Sequence, residues 1–112
     1  MILEEELDSF KVRYSFNEEG ITKGYILAEE TIDVVNIIDV FTTEEYRRNG
    51  VSSEIFKYII NKYRGKKEKL MLEVRSKNIP AINLYRKFSF KEIYVRDNYY
   101  KDDDALIMEM ML

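Results

Sequence analysis

Glu73 and Tyr85 are the two side chains of this chain whose types and surroundings best suit proton transfer. Glu73 falls in the alternating run Lys69 to Arg75, which predicts a β-strand, and Tyr85 falls in a following run with helical spacing. A carboxylate is a natural proton acceptor near neutral pH, whereas a phenol with a pKa of about 10 stays protonated and can donate. A strand and a helix that follow each other closely can bring both groups into one site.

Each of these residues also has an ordinary structural interpretation. Glu73 lies on the same strand face as Arg75 and can simply pair with it, since a carboxylate among apolar neighbours needs a partner, water or a catalytic duty. Tyr85 recurs with Ile82 and Phe88 at helical spacing, and such an aromatic residue is most often part of the core. The residue types alone leave both interpretations open.

A third candidate site is the turn in which Arg47 and Arg48 precede Gly50 and a helical pattern begins at once. The first-turn N–H groups of a helix lack intrahelical partners, its dipole places partial positive charge there, and glycine lets a ligand approach the backbone. These features favour a phosphate site. The turn matches neither GxxxxGK[ST] nor GxGxxG, and a solvated turn is the alternative interpretation.

The composition limits the chemistry that is available to the chain. With no Cys and no His there is no thiolate or imidazole catalysis and no usual zinc site. The 21 acidic and 18 basic residues are mixed along the chain, so we expect no nucleic-acid partner. The acidic start and the lack of a long apolar run predict a soluble cytoplasmic protein without a membrane partner. We expect Asp102, Asp103 and Asp104 to be solvated and to bind no metal.

The chain of 112 residues predicts one domain of the α+β class, spanning 1–112, with a mixed and mostly antiparallel sheet flanked by helices. The polar stretch 97–104 is too charged to be buried and predicts a loop. Helical spacing predicts about thirteen residues from Val51 to Tyr63, stopped by Gly65, and a second helix capped by Asn78 that ends near Ser89. The predicted strands are Phe10 to Phe16 with Phe10 on the buried face, Ile21 to Glu30, Ile32 to Phe41, Lys69 to Arg75, Phe90 to Val95 and Ala105 to Leu112.

Together these segments resemble the GNAT superfamily of acetyl-CoA-dependent N-acetyltransferases, and within it the ribosomal-protein alanine N-acetyltransferase branch. The coenzyme motif of that family is Gln or Arg, two residues, Gly, one residue, then Gly or Ala. The matching residues are Arg47, Gly50 and Ser52, then Leu72-Glu73-Val74-Arg75, Asn78, Leu84-Tyr85, Phe88-Ser89-Phe90 and Asn98-Tyr99-Tyr100. They span roughly 37–110, and several linked motifs are more specific than any one alone.

The resemblance implies a role for each matched residue. Glu73 would be the general base and Tyr85 the general acid. Asn78 would contact acetyl-CoA, which would enter a V-shaped gap between the strands around Val40 and Leu72. The other implied coenzyme contacts form two groups. The backbone amides that would orient the thioester belong to Asp39, Val40 and Phe41. The turn and helix start that would hold the pyrophosphate comprise Arg47, Arg48, Asn49, Gly50, Val51, Ser52 and Ser53.

The expected function is acetyl transfer to a primary amine, foremost the α-amine of a peptide or protein. An acyl-CoA-binding module without catalysis and a small-molecule amine or polyamine acetyltransferase are the alternatives. Members of the family usually have one strand and two helices before the antiparallel meander, which is predicted here between Phe10 and Phe41. In this sequence only about nine residues precede Phe10. We therefore expect the acceptor side to be more open, to be built by a second subunit, or to be lost, and we expect the free strand edges to favour a homodimer.

Overall fold

The computed structural model describes all 112 residues and contains one seven-stranded sheet and two α-helices. A 3₁₀ turn, Glu44–Tyr46, precedes the first α-helix, and neither α-helix is long and apolar enough to cross a membrane. The elements are β1 Ile2–Glu6, β2 Lys11–Glu18, β3 Ile21–Glu30, β4 Val34–Thr42, α1 Val51–Tyr63, β5 Lys69–Arg75, α2 Ile79–Lys87, β6 Lys91–Tyr100 and β7 Asp103–Met111.

The strands follow the order β1-β2-β3-β4-β5-β7-β6, and only the β4–β5 pair is parallel. The predicted fold class is therefore confirmed, and β3, α1 and β5 have the predicted bounds. The sequence predicted no strand before Phe10, but β1 is present and pairs along β2. It escaped the prediction because its acidic residues are exposed and show no apolar alternation.

The core lies between the helices and one face of the sheet. Phe56 of α1 contacts the rings of Tyr85, Phe88 and Phe90, and so joins the two helices. Phe10 is 64% exposed, so its predicted place on the inner face is wrong. It lies in the β1–β2 turn, where Asp8 Oδ1 accepts hydrogen bonds from the N–H groups of Phe10 and Lys11, each at 2.8 Å. The inward strand residues include Val12, Tyr14, Ile26, Ala28, Val35, Ile37, Leu70, Leu72, Val74, Met108 and Met110.

The other side of the sheet, here called the open face, has no helix over it. Its outward side chains are only partly buried, and Tyr25, Leu27, Ile38, Met71 and Ile107 lie near its centre. The two helices therefore cover one face only. A gap between strands of this sheet can be reached from solvent on the open face and from the helices on the other.

The acidic stretch before β7 is not the solvated loop that its composition predicts. β6 continues to Tyr100, so that only Lys101 and Asp102 form the turn. Asp103 is 8% exposed, and it accepts hydrogen bonds from the Ser76 hydroxyl and, at 3.0 Å, from the Lys77 N–H. These bonds hold the pKa of Asp103 below its usual value. Burial is tolerated because the charge has hydrogen-bond partners.

The neighbouring acids also have structural partners. Asp102 pairs with Arg75 at 2.7 Å, and Asp104 accepts a hydrogen bond from the Asn98 N–H at 2.8 Å. Asp102 and Asp103 therefore hold the β6–β7 turn against the end of β5, and Asp104 bonds within the hairpin. The expectation of solvation is wrong for Asp103, which is buried, whereas Asp102 is exposed as predicted.

Candidate active site

A gap opens in the sheet where β4 and β5 stop pairing. The two strands pair from Val34 opposite Lys69 to Ile37 opposite Leu72, but both continue beyond that point. Ile38 is an extra residue on β4, since Ala28 pairs with Ile37 and Leu27 with Asp39. A bulge of this kind bends its strand and increases the local twist. β4 therefore turns away from β5, as the resemblance implied.

The cavity in this gap brings the predicted proton-transfer residues together. It has a volume of about 190 Å³, and its lining comes from β4, β5, α2 and the end of β6. Glu73 and Tyr85 both line it, with Asp39, Val40 and Asn78 from the predicted coenzyme set. Tyr100, to which the sequence assigned no role, lines it as well.

Tyr85 lies on α2 and is 7% exposed. Its ring packs against Phe56 and Phe90 with centroid distances of 5.9 Å, so the core interpretation is correct for the ring. Its hydroxyl lines the gap and makes no hydrogen bond within the chain. Burial and the negative charge of Asp39 raise the pKa of Tyr85 to about 12. The phenol therefore stays protonated at neutral pH.

Glu73 lies on β5 and points to the open face, where it is exposed. Ile38, Met71 and Ile107 line a cavity with it on this face, so the expected apolar neighbours are present, and the exposed carboxylate meets its need for a partner through water. The Tyr100 hydroxyl donates a long hydrogen bond to Glu73 Oε1, at 3.4 Å. Arg75 pairs with Asp102 instead, and its guanidinium lies 4.1 Å from the Tyr100 ring centroid. Glu73 is thus free to accept a proton.

Asp39 is a second carboxylate at the gap, on β4. The Tyr25 hydroxyl donates a hydrogen bond to Asp39 Oδ2 at 2.9 Å, and the Tyr25 ring stacks on Phe41 at 5.4 Å. None of the salt bridges of the chain involves Asp39 or Glu73. The mouth of the gap therefore has two carboxylates without a cationic partner.

The start of α1 leaves its first amides open. Its N-cap is Gly50, with φ +77°, and no side chain caps the helix. The first intrahelical hydrogen bond runs from the Glu54 N–H to the Gly50 carbonyl at 3.0 Å. The N–H groups of residues 51–53 therefore remain available, as an anion site requires. They open into a second cavity, lined by Thr42, Tyr46, Arg48, Gly50, Val51, Ser52, Ser53, Pro80, Leu84 and Lys87.

Two contacts fix this helix start beside β3 and β4. Thr42 Oγ1 lies 2.9 Å from Ser52 Oγ, which ties the end of β4 to the first turn of α1. A Cβ on Gly24 would lie 2.6 Å from the Phe41 carbonyl oxygen and 2.8 Å from Val51 Cγ1. Gly24 therefore permits the close approach of α1 to β3. A glycine inside a strand is the sequence signal that could have revealed this.

The predicted coenzyme residues fall into two groups. Eight of the eleven line one of the two cavities, which flank the end of β4. Phe41, Arg47 and Asn49 line neither; Arg47 Nε donates to the Thr42 carbonyl at 3.3 Å. Asn78 caps α2 as predicted, since its Oδ1 accepts a hydrogen bond from the Ala81 N–H at 3.3 Å.

The acetyltransferase (GNAT) family model matches residues 4–90. The chain belongs to this family. It is 38% identical over 78 residues to an N-alpha-acetyltransferase of Saccharolobus solfataricus, covering 65% of this GNAT chain and 46% of that relative. It is 25% identical over 104 residues to the [ribosomal protein bS18]-alanine N-acetyltransferase of Escherichia coli, covering 88% and 70%. This GNAT chain spans about half the length of the first of these relatives.

Solved structures share the fold of this GNAT chain. The crystal structure of the ribosomal-protein-S18-alanine N-acetyltransferase from Escherichia coli superposes with a TM-score of 0.86 at 26% identity, over 93% of this chain and 70% of that one. A GNAT family acetyltransferase from Elizabethkingia anophelis with acetyl-CoA bound superposes with a TM-score of 0.84 at 18% identity, over 93% and 78%. The resemblance that the motifs indicated is confirmed at the level of family and fold.

Proposed function

We propose that this GNAT chain transfers an acetyl group from acetyl-CoA to a primary amine, foremost the α-amine of a peptide or protein. One observation supports this most: the free hydroxyl of Tyr85 and the carboxylate of Glu73, which has no basic partner, line the same gap in the sheet. The similar proteins of Saccharolobus solfataricus and Escherichia coli are named as N-acetyltransferases, which supports the same reaction class.

The acyl donor binds from the helix side of the sheet. The open amides of residues 51–53 suit a diphosphate, and Arg48 and Lys87 line the same cavity with positive charge. Beyond Ile37 the edge of β4 that faces β5 has no strand partner. Its backbone groups are free to bond the amide groups of the coenzyme arm. The thioester then lies in the gap near Val40 and Tyr85.

The acceptor amine enters from the open face, where Glu73 takes its proton directly or through one water. The neutral nitrogen attacks the thioester carbonyl carbon, the C–S bond of the tetrahedral intermediate breaks to release the coenzyme thiolate, and the nitrogen loses its second proton to water as the amide forms. Tyr85 lies on the helix side of the same gap and donates a hydrogen bond to the leaving sulfur. The base and the acid therefore act from opposite faces of the sheet.

The raised pKa of Tyr85 defines what this residue can do. A phenol of pKa about 12 is a weaker acid than a thiol of about 8.5 in water. Complete proton transfer to the sulfur is favourable only where the buried gap raises the pKa of the thiol as well. Tyr85 thus acts first as a hydrogen-bond donor that stabilises charge on the departing sulfur.

The preference for an α-amine follows from the cost of making the neutral nitrogen. Near pH 7, deprotonation costs about 1.3 kcal/mol for an α-amino group of pKa near 8 and about 4.6 kcal/mol for a lysine side chain. A single carboxylate that is open to water can deprotonate an α-amino group more easily than a lysine side chain. This argument supports peptide N-termini over lysine side chains as acceptors.

Thiol release from acetyl-CoA with short peptides tests the proposal. We expect Glu73→Gln to lower kcat by about 10²–10³-fold and Tyr85→Phe by about tenfold or more. Glu92→Gln and Tyr94→Phe make the same chemical changes at exposed positions of β6, outside the gap, and should leave kcat unchanged. Equal rates in all five proteins would remove the assigned roles. Calorimetric binding of coenzyme A without turnover on any amine would indicate a binding module instead.

A further inference from the structure

Asp39 and Glu73 are two carboxylates on opposite sides of the gap, and both lie on the open-face side. Arg75 is the one basic residue that lines this cavity, and it is held by Asp102 and the Tyr100 ring. Arg96 lines the adjoining cavity on the open face together with Glu73, but neither Glu73 nor Asp39 has a basic group within 4.0 Å. The mouth of the gap therefore has two carboxylates that form no ion pair.

The hydroxyl of Tyr85 is an independent sign that a ligand belongs here. The residue is 7% exposed, yet its hydroxyl has no hydrogen-bond partner in the chain and lines the same cavity. No buried polar side-chain atom of the chain lacks a hydrogen-bond partner, so the unbonded Tyr85 hydroxyl must open into the cavity, where an occupant can bond it. The occupant meets a hydroxyl from the helix side and two carboxylates from the open face.

Asp39 is held in place by side chains that have no other duty in the proposed reaction. The Tyr25 hydroxyl binds Oδ2 at 2.9 Å, the Tyr25 ring stacks on Phe41, and the guanidinium of Arg13 lies 5.6 Å from that ring's centroid. Tyr25 occupies one carboxylate oxygen, and Oδ1 makes no hydrogen bond within the chain. The side chain thus has a fixed position and a free acceptor atom.

We propose that Asp39 is a specificity-determining residue that binds a second positive charge on the acceptor, next to the amine that Glu73 deprotonates. This inference rests on the proposed function. The predicted role of Asp39 involved its backbone and the thioester, whereas this one involves its carboxylate and the acceptor. The substrate class is a basic peptide N-terminus, with Lys or Arg close to the reacting α-amine.

The separation of the carboxylates favours two cationic groups over one. Asp39 and Glu73 follow the last paired residues of β4 and β5, so their backbones are farther apart than the ~4.8 Å of paired strands. If both carboxylates surrounded one ammonium, they would raise its pKa and oppose the deprotonation that the reaction needs. A second charge at Asp39 anchors the acceptor and leaves the amine to Glu73.

The test compares three peptides that differ only in their second residue, Lys, Ala or Glu, with acetyl-CoA as donor. We expect wild type to favour the Lys peptide over the Glu peptide by about tenfold in kcat/KM, mainly through KM. Asp39→Asn should reduce this ratio to about twofold, and Asp39→Glu should retain most of it. Asp33→Asn makes the same change just before β4, at the opposite end of that strand from the gap, and should leave the ratio intact.

A wild-type measurement covers the case in which Asp39→Asn does not fold. Raising the salt from about 0.05 M to about 0.5 M should reduce the Lys-to-Glu ratio, because salt screens charges at an exposed site. Turnover with equal kcat/KM for the three peptides, or an unchanged ratio in folded Asp39→Asn, overturns the inference but leaves the acetyltransferase proposal standing. No turnover with any amine overturns both.

Discussion

The two faces of the sheet support the site in different ways. On the helix side, packed rings and a helix start offer backbone amides and the Tyr85 hydroxyl, which the proposed reaction assigns to the donor. On the open face, the exposed side chains Glu73 and Asp39 offer charge, which the proposed reaction assigns to the acceptor. Donor binding should therefore depend on backbone geometry, and acceptor choice on individual side chains.

Matched aromatic truncations measure the difference between the faces most directly. Phe56 is fully buried and contacts three other rings, so Phe56→Ala should lower the free energy of unfolding by about 3–5 kcal/mol. Tyr94 on the open face is 60% exposed, and Tyr94→Ala should cost less than about 0.5 kcal/mol. Urea unfolding of both variants checks this. Similar losses would mean that the open face is also packed in solution.

Gly24→Ala tests whether donor binding depends on backbone geometry. The new Cβ would meet the Phe41 carbonyl at 2.6 Å and Val51, so the start of α1 must shift. We expect a loss of about 1–3 kcal/mol in stability and clearly weaker coenzyme A binding in calorimetry.

The control for this change is Gly65→Ala. Gly65 has φ +80° and no atom within 4 Å of an added Cβ, so the substitution costs about 1 kcal/mol of backbone strain without moving the helix start. Coenzyme A affinity should stay at the wild-type level. If both variants lose affinity equally, general destabilisation and not the helix position is the cause.

Several features of the fold and site were predictable because their signals are local. Helical spacing from Val51 to Tyr63 ending before Gly65 gave α1 its bounds, and Asn78 with Pro80 two residues later marked the start of α2. The strand and helix that carry Glu73 and Tyr85 are adjacent along the chain, so their convergence could also be predicted.

The features that the sequence did not reveal depend on distant partners. The burial of Asp103 depends on Ser76 and the Lys77 amide, which lie more than 25 residues away. The exposure of Glu73 depends on which face of the sheet the helices cover, and alternation alone cannot distinguish the two faces. The bulge at Ile38 is hidden because an isoleucine in an apolar run predicts a regular strand.

Stability measured as a function of pH compares two acids near the β6–β7 turn: Asp103, whose carboxylate is hydrogen-bonded, and Asp97, whose carboxylate is not. Hydrogen bonds from Ser76 and backbone amides hold the pKa of Asp103 below its usual 3.8, so they favour the folded state when the group is ionised. This stabilisation is complete well above 3.8 and is lost as the pH falls through the lower folded value. Asp103→Asn should therefore be less stable than wild type at about pH 7, and the difference should shrink toward about pH 2.5.

Asp97→Asn is the matched change, because Asp97 is exposed on β6 and its carboxylate makes no hydrogen bond within the chain. Thermal unfolding across this pH range should give nearly the same stability for wild type and this variant. A pH-independent deficit in Asp103→Asn would show that packing, and not the charge, accounts for the loss.

Tyr100→Phe should have the smallest effect of these changes. It tests whether the Tyr100 hydroxyl positions the proposed base, Glu73. The change removes only the 3.4 Å hydrogen bond to Glu73 and keeps the ring under Arg75. If the hydroxyl positions Glu73, kcat should fall about twofold to fivefold with little change in the KM of the peptide. Tyr99→Phe is the control, because the hydroxyl of Tyr99 makes no hydrogen bond within the chain and its ring is largely exposed. A rise in KM at constant kcat would instead place the Tyr100 hydroxyl on the acceptor, and Glu73 would then act without help from β6.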